Sequence, residues 1–265
     1  MGESLLSVQL YSVREQLAAD QPGTLARLAE IGFRHVEPFG LGTPDKPLAD
    51  RLAAARSLRS DLDAAGLAVS AVHAGLPGDV AELVAECAIL GADTAFVPHP
   101  HLVAGFGADT FADPDQVDAF AEAFGAAAET VAADLRLGYH NHWFEWAELP
   151  DGTTGWDRFW GRAGNNLLAE VDVYWVVAAG ADPAAVLAAL GSRAVAVHLK
   201  DGPAEHPAPQ TPIGTGKVDI AEALRGASSG IRWHVVEIDS TELDPFDLLA
   251  TNANILVTEG HSRWA

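Results

Sequence analysis

The stretch LLAEVDVYWVVAAGADPAAVLAALGSRAVAVHLKD, residues 167–201, decides the fold class. It contains two apolar runs of strand length, Leu167–Val171 and Ala194–Leu199, on either side of a helical pattern over Pro183–Leu190. That pattern begins with Asp182, a helix-capping residue, and has proline at the first helical position. Continuous apolar strands joined through a helix predict parallel strands that are covered on both faces.

The same alternation continues in both directions along the chain. Eight apolar strand candidates follow one another, with helical patterns such as Ala49–Ala65, Val80–Leu90 and Pro114–Ala133 between them. The strand candidates are Leu5–Leu10, His35–Pro38, Ala68–His73, Thr94–Pro98, Leu135–His140, Leu167–Val171, Ala194–Leu199 and Trp233–Ile238. Eight such units favour an α/β fold closed into a single (β/α)8 TIM barrel, with residues 1–265 forming one domain.

Amino-acid composition indicates which kinds of binding partner and which cellular compartment to expect. Sixteen basic residues stand against 37 acidic residues, which gives a formal net charge of −21. Such a surface repels a phosphate backbone and anionic lipid, so we expect neither nucleic acid nor a membrane as partner. Cys87 is the only cysteine, and no signal peptide or membrane span is evident, which indicates a cytoplasmic protein. Whether the chain forms a homo-oligomer is left open.

Residues that could carry chemistry lie where the predicted strands end, at the face on which TIM barrels place their active sites. Residues two apart on a strand share a face, so the side chains of His198 and Lys200 lie on the same face of their strand, as do those of Glu237 and Asp239. Buried charges are costly unless they are paired or bind a metal. The convergence therefore predicts a His/carboxylate metal site. The strand-end residues are Glu37, His73, His99, His140, His142, Glu145, Glu170, Asp172, His198, Lys200, Glu237 and Asp239.

Several of these residues also have a purely structural interpretation. Asp172 could cap the segment that follows it, and Glu237 could form a buried ion pair with Lys200. A single strand-end histidine such as His73 is usually a hydrogen-bonded structural residue. The joint occurrence on neighbouring strands favours the metal site.

Six motifs carry a resemblance to a known family and cover most of the chain. The chain resembles the sugar phosphate isomerase/epimerase family of the xylose isomerase-like TIM barrel superfamily. The motifs are GFRHVEPFG (32–40), LGYHNHWFEW (137–146), EVDVYWVVAAGADP (170–183), AVHLKDG (196–202), PIGTGKVD (212–219) and VVEIDS (235–240).

The resemblance implies one divalent metal ion per chain. Three of the family's usual ligands carry over to Asp172, His198 and Glu237. The strand-five ligand does not match cleanly, because His140 stands where many members have glutamate, and the nearest carboxylate is Glu145. Both residues stay candidates. A mixed His/carboxylate set suits Mn²⁺, Co²⁺, Zn²⁺ or Mg²⁺ and does not choose among them.

The resemblance also implies an isomerase or epimerase that acts on a small sugar or sugar-like carbonyl compound. A metal that polarises the carbonyl acidifies the neighbouring carbon, and a base then removes the proton. His142, His140 and Glu37 are the candidates for the base, and Lys200 could hold the developing oxyanion. We expect His73, Trp175 and Asp239 to contact the substrate.

Other functions stay open from the sequence. A lyase or dehydratase acting on an oxidised sugar would use the same first step. An abasic-site endonuclease is disfavoured by the charge of −21, and a non-catalytic sugar-binding subunit by the intact ligand positions. No cluster of Arg or Lys and no Gly-rich loop forms an obvious phosphate cradle, which favours an unphosphorylated substrate.

Overall fold

Residues 4–43 and 46–265 are described by a computed structural model, in which a barrel of parallel strands is surrounded by helices. The strands of these residues are β1 Leu5–Gln9, β2 His35–Glu37, β3 Ala68–Val69, β4 Val72–His73, β5 Thr94–Val97, β6 Arg136–His140, β7 Leu168–Asp172, β8 Ala194–Leu199 and β9 Trp233–Val236. The helices are α1 Arg14–Ala19, α2 Gln21–Ile31, α3 Leu48–Ala65, α4 Val80–Leu90, α5 Pro114–Val131, α6 Gly155–Arg162, α7 Val173–Ala178, α8 Pro183–Leu190, α9 Ile220–Leu224 and α10 Pro245–Thr258. The predicted TIM barrel is confirmed.

The third predicted strand, Ala68–His73, is present as two short strands that close the barrel. β3 pairs with β2, whereas β4 pairs with β5, so the two sides of this strand bond to different neighbours. Between them Ser70 turns inward, where its Oγ donates to Val36 O at 3.1 Å and lies 2.7 Å from Ser7 Oγ. The strand order around the sheet is β3-β2-β1-β9-β8-β7-β6-β5-β4.

The predicted capping residue Asp182 begins a helix, and glycines follow the ends of three others. The Asp182 carboxylate accepts a hydrogen bond from Ala184 N at the start of α8. Gly32, Gly66 and Gly91 follow the last residues of α2, α3 and α4. Gly66 and Gly91 are left-handed, which glycine adopts without steric cost. Cys87 is buried on α4.

The barrel interior has an apolar layer beneath an ionisable one. Phe96, Ala196 and Val235 are buried together in the lower layer. Side chains alternate along a strand, so His198 and Glu237 point into the same interior one layer higher. The ionisable residues therefore lie at the carboxyl end of the strands.

The helices of the described residues are not membrane spans, since none of them is both long and apolar enough to cross a bilayer.

Candidate metal centre and substrate cavity

Ionisable side chains from neighbouring strands meet at the carboxyl end of the barrel, and all of them are buried. They are Glu37 of β2, His73 of β4, His140 of β6, Glu170 and Asp172 of β7, His198 of β8, and Lys200 and Glu237 just beyond β8 and β9. Burial of so many ionisable groups is tolerated because almost every one faces a partner of opposite charge.

Glu170 is the centre of the lower part of this cluster. Its Oε2 lies 2.6 Å from His73 Nε2, 3.1 Å from His140 Nδ1 and 3.2 Å from His198 Nε2. Burial raises the pKa of the Glu170 carboxyl, but His198 and the other two imidazoles outweigh it, so this pKa lies well below its usual range. The pKa of His198 is correspondingly raised, because Glu170 and Glu237 outweigh its burial.

Glu37 lies beside the same imidazole. Its Oε2 accepts a hydrogen bond from Gln9 Nε2 at 2.9 Å and lies 2.8 Å from His198 Nε2. Burial, with the nearby Glu170 carboxylate, raises the pKa of Glu37 to about 7. The side chain is 0% exposed and is absent from the lining of the cavity described below.

Lys200 is the centre of the upper part of the cluster. Its Nζ lies 2.7 Å from Asp172 Oδ2, 2.6 Å from Glu237 Oε2 and 2.6 Å from Asp239 Oδ2. Burial would lower the pKa of Lys200, but the three carboxylates outweigh it and raise the pKa, so the ammonium stays charged. The buried ion pair with Glu237, which the sequence offered as an alternative, is present.

One group of donors contains the three ligands that the family resemblance implies, together with one of the two strand-five candidates. Single donor atoms of the four residues lie within 4.8 Å of one another, and all four side chains are buried. This cluster could bind a metal ion. The group comprises His140, Asp172, His198 and Glu237.

The Glu145 side chain contacts residues close to it in sequence. It belongs to neither of the two groups of possible metal donors found among the described residues. Its Oε1 accepts a hydrogen bond from Tyr139 Oη at 2.7 Å, and both carboxyl oxygens lie 3.0 Å from His142 N. Burial raises the pKa of Glu145 to about 8. These hydrogen bonds stabilise the turn that follows β6.

Asp172 divides its two carboxyl oxygens between two tasks. Its Oδ1 accepts hydrogen bonds from Tyr174 N and Trp175 N, which caps α7. Its Oδ2 faces Lys200. Asn141 holds the Asp172 backbone from the neighbouring strand, accepting from its N at 3.0 Å and donating to its O at 3.2 Å. The capping role and the cluster role, which the sequence treated as alternatives, therefore occur together.

A cavity of about 600 Å³ opens above the cluster. Its lining includes all three predicted substrate contacts, His73, Trp175 and Asp239, as well as His142. Lys200 and Glu145 are absent from the lining, as Glu37 is.

The His142 imidazole forms part of the cavity wall, and its Nδ1 atom is buried. Its ring stacks on His99 with centroids 4.0 Å apart and on Phe144 at 5.6 Å. Within the described part of the chain its Nδ1 has no hydrogen-bond partner. Burial, followed by His99 and His140, lowers the pKa of His142 well below its ordinary value, so the ring is neutral at neutral pH.

Two residues of the site, Gln9 and Gln210, were not placed in it from the sequence. Glu170 was recognised at a strand end, but its contacts with His73, His140 and His198 were not predicted. Gln9 also ends a strand, so the strand-end criterion could have found it. Gln210, whose Oε1 accepts from Asp239 N and Ser240 N, lies in a loop and carries no such signal.

A closed parallel barrel with a cavity and buried ionisable side chains at the carboxyl end of its strands has the architecture of TIM-barrel enzymes. The family follows from the sequence comparison. Residues 25–245 match the xylose isomerase-like TIM barrel family, and the chain belongs to that family. Among curated proteins, no sequence matches this chain significantly.

Solved structures share this fold at low sequence identity. A sugar phosphate isomerase/epimerase from Parabacteroides distasonis is 22% identical with a TM-score of 0.74, over 97% of this chain and 94% of that chain. The probable 3-DHS dehydratase involved in petrobactin synthesis from Bacillus anthracis is 13% identical with a TM-score of 0.68, over 96% and 98%. A D-allulose 3-epimerase from Methylomonas sp. is 13% identical with a TM-score of 0.63, over 97% and 98%.

Proposed function

We propose that this protein is a divalent-metal-dependent isomerase or epimerase that moves a proton at the carbon beside the carbonyl of a sugar or sugar-like substrate. The observation that carries the proposal is the convergence of His140, Asp172, His198 and Glu237, whose donor atoms lie within 4.8 Å of one another. Two imidazoles and two carboxylates are a donor set typical of catalytic Zn²⁺ and Mn²⁺ sites. A metal bound there would act as a Lewis acid toward a substrate carbonyl.

The residues present fit such an ion once His198, whose pKa is raised by Glu170 and Glu237, releases its proton, and Lys200 is a competitor for two of the carboxylates. The Lys200 ammonium lies between Asp172 and Glu237 and neutralises both. An ion held by the four side chains therefore competes with Lys200 for these two carboxylates. Asp239, which also faces Lys200, gives the ammonium a remaining partner.

The geometry favours His140 over Glu145 as the strand-five ligand. His140 belongs to both donor groups, whereas both oxygens of Glu145 are engaged by the turn after β6. His140 is also neutral at neutral pH, because burial lowers its pKa to about 3. A neutral imidazole has the free lone pair that a ligand needs.

His142 is the best placed of the three candidate bases. It lines the cavity, and its Nδ1, which has no hydrogen-bond partner among the described residues, is free to accept a proton from a bound substrate. His140 is assigned as a ligand, and Glu37 lies behind His198, where it orients that imidazole. We assign His73, Trp175 and Asp239 to substrate binding, and Lys200 to neutralising charge beneath the substrate.

Metal content tests the site without any substrate. We expect one divalent ion per chain by elemental analysis of protein purified without chelator, and less than about a tenth of that in Asp172→Asn. Asparagine keeps an oxygen that can cap α7, so this variant is expected to fold. The control is Asp219→Asn, which changes an exposed helix cap to an equally good one. Retention of metal by Asp172→Asn would contradict the assignment.

The strand-five ligand is decided by a second pair of variants. We expect His140→Ala to lose the ion and Glu145→Gln to keep it. The opposite result would assign the ligand to Glu145.

Proton transfer is tested by turnover in D₂O. A screen of ketoses and 3-oxo sugars with Mn²⁺ supplies the substrate, and deuterium is expected at the carbon beside the carbonyl. Substrate deuterated at that carbon should show a primary isotope effect where this step limits the rate. Turnover with neither exchange nor an isotope effect would indicate a hydride shift instead.

A further inference from the structure

The cavity extends well beyond the ionisable side chains at its base. Pockets that bury drug-sized ligands span roughly 300–1,000 Å³, and this cavity of about 600 Å³ lies well inside that range. His73, His140 and Glu237 line only one part of it. The remaining volume is bounded by residues that belong to no ligand set.

Two aromatic walls bound that volume. Trp143 and Trp175 follow β6 and β7, and their rings lie 4.8 Å apart. Tyr11 and Phe39 follow β1 and β2, and their rings meet edge to face at 5.2 Å. In the strand order the β1–β2 pair lies across the barrel from the β6–β7 pair, so the two walls face each other across the cavity.

Tyr11 and Phe39 are exposed in a way that folding does not explain. Within residues 4–43 and 46–265, the large hydrophobic side chains that are exposed are Tyr11 at 39%, Phe39 at 38% and Leu243 at 50%. Two of these three meet at the cavity mouth. The Arg14 guanidinium, 4.2 Å from the Tyr11 ring centroid, fixes that ring although Arg14 does not line the cavity. Grouped, fixed and exposed aromatic rings indicate a binding surface.

The described lining of the cavity contains neither lysine nor arginine, while Glu237 and Asp239 lie at its base. Away from the ionisable base, a phosphate group in the cavity would meet no lysine or arginine of the described lining to pair with. The lining therefore favours an uncharged ligand.

We propose that the cavity mouth is a subsite for a second ring, and that the substrate is an uncharged glycoside of an oxo sugar: the ring that carries the ketone lies at the ionisable base, and the aromatic group or second sugar linked to it is held by Tyr11 and Phe39. This rests on the proposed function for the identity of the first ring. The faces of sugar and aromatic rings are apolar and stack on aromatic side chains, so either kind of second ring suits this wall.

The test compares matched glycosides by calorimetry. The probes are methyl and phenyl D-glucopyranosides, D-galactopyranosides and D-xylopyranosides, each as both anomers, titrated into the metal-loaded protein. We expect the phenyl member of each pair that binds to be about tenfold tighter, which corresponds to about 1.4 kcal/mol. Phe39→Ala and Tyr11→Ala are each expected to reduce that preference to less than about threefold.

Leu243→Ala is the matched control, because Leu243 is also an exposed large apolar residue but does not line the cavity. It should keep the tenfold preference. Equal affinities within every pair, a preference that survives both aromatic variants, or no binding by any member would overturn the subsite. Tighter binding of glucose 6-phosphate than of glucose would overturn the uncharged substrate.

The two proposals fail separately. Metal content and deuterium exchange do not involve the second ring. Intact metal binding and exchange with no phenyl preference would leave the proposed function standing and reject the glycoside. A phenyl preference without metal binding or exchange would leave the subsite for the second ring standing and reject the proposed function.

Discussion

At the scale of single residues, the site depends on carboxylates that each serve two partners. Asp172 caps α7 with one oxygen and faces Lys200 with the other. The helix cap fixes the orientation of the carboxylate group. The second oxygen, which is buried, is therefore held in one position. Fixed donors of this kind are what a metal centre needs for a defined geometry.

His142 carries the clearest prediction at this scale. His142→Gln keeps hydrogen bonding but removes the proton acceptor, so we expect the rate to fall roughly 10²–10⁴-fold with metal content unchanged. The measurement is kcat with the substrate found by the screen. His261→Gln, at the opposite end of the barrel, is the matched control and should retain the wild-type rate. A loss below about tenfold in His142→Gln would move the role to His140 or Glu37.

At the scale of elements, the segment 202–218 covers one side of the cavity and is held by one buried carboxylate. Asp201 accepts hydrogen bonds from the backbone N–H groups of Gly202, Gly214, Gly216 and Val218, at 2.7 to 3.0 Å. Gly216 is required for this approach, since a Cβ there would lie 2.3 Å from Asp201 Oδ1. The segment brings His206 onto the Trp143 ring, with centroids 3.9 Å apart.

Replacing Asp201 should loosen this segment. Asp201→Asn turns an amide N–H₂ toward two of the four donors, so we expect a loss of roughly 2–4 kcal/mol in the free energy of unfolding. Trypsin should also cleave faster after Lys217, which lies in the segment. Urea unfolding and timed digestion measure the two effects. Asp219→Asn, close by in sequence, is the control and should change neither quantity; an equal effect in both variants would contradict the role of Asp201.

At the scale of the whole molecule, a chain with a formal net charge of −21 buries several ionisable side chains, each held by charged or hydrogen-bonding partners. The amino end of the barrel contains a buried imidazole that has no oppositely charged partner among the residues that the structure describes. His234 of β9 is 4% exposed, and its Nδ1 lies 2.8 Å from Ser262 Oγ. Burial, with a smaller effect of His261, lowers the pKa of His234 from 6.5 to about 4.

This shift predicts how stability depends on pH. Between pH 6.5 and 4 the unfolded chain binds a proton at His234 and the folded chain does not, so stability falls as the pH falls through this window. From pH 7 to pH 5 we expect the wild type to lose about 2 kcal/mol more than His234→Asn, which has no such proton to bind. Urea unfolding of both proteins at the two pH values measures the difference. Equal losses would show that His234 is not the group responsible.

Local patterns in the sequence determined most of the fold. Strand candidates, the capping Asp182 and the glycines that end helices depend on neighbours a few residues away, so they can be read from one segment at a time. Alternation along each strand also selected His198 and Glu237 as inward-facing. The same rule could not show that the strand over Ala68–His73 divides, because its two parts pair with different neighbours.

Only the tertiary structure decided how the candidates are combined. His140 and Glu145 were equivalent in the sequence, and they differ because the chain turns after β6 and brings Glu145 back onto Tyr139 and the His142 backbone. His198 meets Glu37 across 161 residues, and His73 meets Glu170 across 97. Those pairs exist because barrel closure brings strand ends together, and no local propensity encodes the distance between two strands that are remote along the chain.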